Sequence, residues 1–162
     1  MRTGKAFAAG VTGGLVMSLL MGMGRMIMGM QANIEMVEGT MLMDPGPATW
    51  WVGFVMHLMI SGLIGLVYGW GFERIRRSGA GIGAGFGVVH AVIAGLLMLM
   101  MPLIHPRMPD PVPAPGFLML NLGVMTMFAA LLVHVIYGAV VGAIYGPTTQ
   151  HTGAHRPVAT AV

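Results

Sequence analysis

Cysteine is absent from the 162 residues. That excludes disulfides, zinc–thiolate centres and iron–sulfur clusters, and leaves methionine and histidine as the only soft-metal ligands. Charge is nearly absent too. Only 8% of residues are Asp, Glu, Lys or Arg, against about a quarter in a soluble domain. The small net charge of +3 gives no basic face for nucleic acid. Residues 31–48 hold no Lys or Arg. No P-loop, nucleophile elbow or H-E-x-x-H is present, and the apolar stretches are nearly free of groups able to act as acid, base or nucleophile. We therefore expect no enzyme.

What is abundant is apolar. With 56% hydrophobic residues and a mean hydropathy of +0.82, the chain reads as a membrane protein. A bilayer span needs about 20 apolar residues. Four runs qualify, at roughly 6–29, 49–72, 80–104 and 117–146. The expected fold is all-α, a four-helix transmembrane bundle forming a single domain over 1–146, followed by a disordered cytoplasmic tail at 147–162. The first run, preceded by Arg2 and Lys5, is too long for a signal-peptide core and lacks a clear cleavage site.

The halves resemble each other. His134, Gly142, Tyr145 and Gly146 lie 77 residues after His57, Gly65, Tyr68 and Gly69. The same offset carries Gly10, Leu19, Leu20, Met21, Met23 and Ile27 onto Gly87, Leu96, Leu97, Met98, Met100 and Ile104. This is a duplication signal, predicting two parallel helical-hairpin repeats, 1–78 and 79–146, with glycines at the helix contacts.

Basic residues set the expected topology. Arg2 and Lys5 before the first span, and Arg74, Arg76 and Arg77 after the second, place both termini in the cytoplasm. The link 31–48, a polar loop with Glu35, Glu38, Asp44 and the turn-forming Pro45-Gly46-Pro47, and the proline-rich link 105–116 are then outside. Trp50-Trp51 opens the second span as an interfacial pair.

Sorted by depth, the methionines are lopsided. Met1 aside, the other eighteen of nineteen fall in or near the outward half, with Met17 and Met59 at its margin, and the inward halves hold glycine. Methionine can be flexible filler. The sidedness favours an outward basin of thioethers, ligands that select Cu(I). His57, His90 and His134 all lie roughly 16–18 Å from the inner helix ends, at 1.5 Å per residue. Each alone could be a neutral imidazole bonded to a carbonyl or tyrosine. Three at one depth suggest a cavity-facing layer. The candidate metal ligands are therefore His57, His90, His134, Met21 and Met98. The alternative cofactor is haem, ligated by His57 and His134 from its two faces. A third possibility is a cofactor-free subunit whose glycine faces pack in a larger membrane complex or homo-oligomer. Met17 and Met21 form an M-x3-M pair, and His151 and His155 lie four apart in a Gly- and Pro-bearing tail.

The His134–Gly146 stretch with Leu131-Leu132 before it, and the segment Leu96 to Ile104 followed by a proline-bearing loop, resemble small four-helix inner-membrane proteins of bacteria. That resemblance implies the architecture and a bacterial inner-membrane location. It implies no chemistry, because the family has no assigned activity. The methionine content departs from its usual pattern.

Overall fold

The computed structural model describes residues 1–148. They form helices α1 (Thr3–Met28), α2 (Ile34–Gly39), α3 (Pro47–Ile75), α4 (Ala80–Ile104) and α5 (Val124–Tyr145), with a 3₁₀ segment, Phe117–Leu122, before α5. There is no strand among the described residues. α1, α3, α4 and α5 are each long and apolar enough to cross a membrane. At 1.5 Å per residue the shortest, 22 residues long, extends roughly 33 Å, about the thickness of a bilayer core. The expected tail lies almost wholly outside the described residues.

Local chemistry sets the helix ends. α1 stops at Gly29, whose left-handed φ of 64° lets the Met30 N–H return to the Gly24 carbonyl. α3 begins with Pro47 at a position where its missing N–H costs nothing. α4 carries Pro102 in its last turn and ends before His105-Pro106. Two expectations need refinement. The last run is broken, because Gly123 at φ 113° and left-handed Leu118 and Met119 turn residues 117–122 out of register with α5. That turn is filled from behind, since the Phe117 ring lies over Gly95 of α4 and Leu118 and Met119 are buried. The link 31–48, read as polar loop, contains the buried helix α2.

α1 packs against α3 on one side and α5 on the other, and α5 packs against α4. Glycine permits these approaches. A Cβ on Gly10 would overlap the Ser61 carbonyl oxygen, and one on Gly65 would overlap that of Ala6. At α4–α5, a Cβ on Gly83 would overlap the Gly138 carbonyl and one on Gly142 that of Gly79. Gly65 and Gly142 therefore both face a neighbouring helix. The pairs Ala6–Gly65 and Gly83–Gly142 are related by the 77-residue offset. Rings close the remaining side of the bundle. Phe86 of α4 covers Gly71 of α3 and packs with Tyr68 and Phe72, at centroid distances of 5.6 and 5.2 Å. Arg2 ties the start of α1 to the end of α5 by donating to the Tyr145 and Pro147 carbonyls.

Candidate membrane-embedded site

At the end of the bundle away from the N-terminus, α2 is pressed into it. Asn33 caps it by accepting from the Met36 N–H at 3.1 Å. Glycine on both helices allows the contact: a Cβ on Gly53 would overlap the Glu35 carbonyl, and one on Gly39 that of Thr49. Glu35 and Glu38, one turn apart, share the buried face. Glu35 is fully buried and lies 3.3 Å from the Arg25 guanidinium. Glu38 Oε1 lies 3.3 Å from His57 Nδ1 of α3. Burial lifts the Glu38 carboxyl above its ordinary range, with the His57 bond pulling the other way. Glu35 Oε1, Glu38 Oε2 and Ser18 Oγ are buried without a hydrogen-bond partner among the described residues.

The second loop locks over the first. The Arg107 N–H donates to His105 Nδ1 at 3.1 Å, so the proton of the neutral His105 ring sits on Nε2, which donates to the Val37 carbonyl at 3.0 Å. Arg107 also donates to Asp44 Oδ1 and to the Thr40 carbonyl, both at 2.8 Å.

Deeper in the bundle, His90 of α4 and His134 of α5 meet edge to face, with centroids 4.7 Å apart. His134 Nδ1 donates to the Ala130 carbonyl at 2.6 Å, which leaves Nε2 as the nitrogen with a lone pair. His90 Nδ1 lies 3.3 Å from the Tyr68 hydroxyl. Tyr137, fully buried, packs on both Tyr68 and His90 and donates to the Ser61 carbonyl at 2.6 Å. The structure thus brings two of the three expected imidazoles together and turns the third, His57, toward Glu38. No protein-family model, curated protein or solved structure matches the chain.

Met21 is buried in a cluster that also holds Met17, Met30 and Met119, with Met98 half-buried against it. Met98 packs as well on a second cluster, containing Met101 and Met108 with Met41 at its edge. Between α1 and α5 lies a groove of about 250 Å³ lined by Met21, Met23, Met28 and Met30 with apolar side chains of α5. Among the described residues, no three His, Asp or Glu side chains are grouped to hold a metal. A soft ion here would have to be held chiefly by thioethers. A porphyrin between His57 and His134 would need free space beside them, and the glycines nearby are already covered: Gly62 by the Phe7 ring, Gly65 by α1, and Gly138 and Gly142 by α4.

Sequence reasoning passed over Glu35, Glu38 and Arg25. Their signal was a helix cap, Asn33, followed by two acids three residues apart, opposite an arginine placed inside an apolar span. Tyr68 was noted as part of the repeat but not as the partner of His90.

Proposed function

We propose that this chain is a multi-pass inner-membrane protein, both termini cytoplasmic, that binds Cu(I) in its outward half. The carrying observation is the thioether-rich interior, in which Met21 and Met30 belong both to the α1–α5 groove and to the cluster that Met98 joins to Met101 and Met108. Thioethers favour Cu(I) over harder ions because they are soft, uncharged and polarizable. His90 and His134 lie deeper and supply imidazole nitrogens as a second kind of ligand. The two hairpins stem from one duplicated unit, a reading supported by glycine contacts that recur 77 residues apart.

The test is anaerobic titration of the full chain in nanodiscs with Cu(I) against a colorimetric chelator. Wild type should compete for the metal. Replacing Met21, Met30 and Met98 together with leucine, close to isosteric and cheap for packing, should weaken binding at least tenfold. Each single replacement should change it little. Wild type that fails to compete, or a triple variant that binds as wild type does, overturns the proposal.

A further inference from the structure

Near the α2 end of the bundle, Glu35 Oε1, Glu38 Oε2, His57 Nε2 and Ser18 Oγ are all buried without a hydrogen-bond partner among the described residues. Three helices gather them. Gly10 against Gly65 and Gly14 against Ser61 set an antiparallel register between α1 and α3, and that register puts Ser18 level with His57. Gly53, one turn before His57, takes the Glu35 carbonyl, and His57 Nδ1 reaches Glu38 Oε1 at 3.3 Å. The Glu35 side chain is fully buried, and that of His57 is 8% exposed. Polar groups cut off from water in this way ordinarily find a partner.

The unpartnered atoms are of one kind. A carboxylate can only accept, so the proton between Glu38 and a neutral His57 ring sits on Nδ1 and leaves a lone pair on Nε2. The Ser18 hydroxyl accepts as well. The patch therefore presents acceptors and asks for a cation or a donor. Charge points the same way. The Arg25 guanidinium, donating to Glu35 Oε2 and to the Ala32 carbonyl at 3.3 Å, balances one of the two carboxylates. At the other end of α2, Arg107 is matched by Asp44 at 2.8 Å. One buried negative charge is left over, and such a charge is costly where water is excluded.

The geometry points to a binding site for a monovalent metal cation of sodium size, held by Glu35, Glu38 and Ser18 with His57 Nε2 beside them. Carboxylate and hydroxyl oxygens are hard ligands, suited to such an ion and unsuited to Cu(I). Among the described residues, no three His, Asp or Glu side chains are grouped around one point, which disfavours a divalent ion with its larger demand for charged ligands. One leftover charge matches one singly charged ion. The site is independent of the copper reading, since its donors are oxygens on α1 and α2 and not the thioethers.

The full chain in detergent micelles at pH 8 tests this through its thermal unfolding midpoint, with sodium chloride replacing N-methylglucamine chloride at constant ionic strength. Sodium should raise the midpoint saturably, as a ligand of the folded state does. Glu38→Gln, nearly isosteric, should weaken the apparent sodium affinity at least about tenfold by removing a charge beside the ion. Ser18→Ala, which leaves every charge and ion pair in place, should weaken it about threefold to tenfold, the worth of one polar contact. Equal midpoints in the two salts, or sodium affinity undiminished in both variants, would overturn the assignment. A midpoint that follows pH and ignores sodium would overturn it too, because a proton would then balance the charge.

Discussion

The Glu38–His57 contact is the sharpest point at which to test how α2 is held in the bundle. The groups are 3.3 Å apart, with side chains 15% and 8% exposed. At that separation and an effective dielectric of about 20, opposite unit charges attract by roughly 5 kcal/mol. Removing both from water takes back much of this, so the pair as a whole contributes little. Removing one partner is another matter. His57→Leu strands the Glu38 carboxylate, whose Oε2 already lacks a partner among the described residues. We expect a loss of about 3 kcal/mol, the lower end for a broken buried pair because 3.3 Å is long and Glu38 keeps some contact with solvent. Glu38→Leu leaves a neutral imidazole short of one bond and should cost about 1–2 kcal/mol. The double replacement removes both polar groups and should cost under about 1.5 kcal/mol, well below the sum of the singles. Reversible unfolding against SDS mole fraction in mixed micelles, followed by circular dichroism, gives all four values. A double variant whose loss equals that sum would refute the coupling, and with it the account of α2 as fastened from below.

Acidity provides a second probe of the same group. Burial raises the Glu38 pKa above its ordinary 4.5, so the folded state holds that proton more tightly than the unfolded chain. The stabilisation it gives is full below about 4.5 and declines as pH rises through the raised folded value. Measured at pH 5 and pH 8, wild type should lose stability relative to Glu38→Gln as pH increases, and a difference running the other way would contradict this assignment. Glycine positions divide in a similarly checkable way. Gly83→Val drives a side chain into the Gly138 carbonyl and should cost more than about 2 kcal/mol. Gly85→Ala, where a Cβ meets nothing within 4 Å, should be neutral or gain about 0.5–1 kcal/mol from its helix propensity. The two are compared in one unfolding assay, and equal costs would show that close glycine contacts between α4 and α5 do not govern packing.

The sequence by itself determined the membrane class and the four apolar helices, because a bilayer constrains length and polarity residue by residue, and both are written locally. It also marked where helices could approach: Gly65 and Gly142 are contact points, since a helix without a side chain at one position admits its neighbour whatever that neighbour is. The break before α5 was less legible. Residues 117–122 are apolar enough to continue the span, and what turns them is backbone freedom at Gly116 and Gly123 together with the Phe117 ring finding room over Gly95. The polar partners were decided by tertiary structure alone. Depth along separate helices placed His57, His90 and His134 in one layer, but depth carries no information about rotation around a helix axis. That rotation follows from the packing of glycine faces, which bring His90 to His134 and let α2 settle against α3 until Glu38 meets His57. The acids could be read as solvated because link residues usually are. Only the fit of Gly39 and Gly53 against facing carbonyls shows that this link is buried, and such a fit exists between two segments and in neither sequence alone.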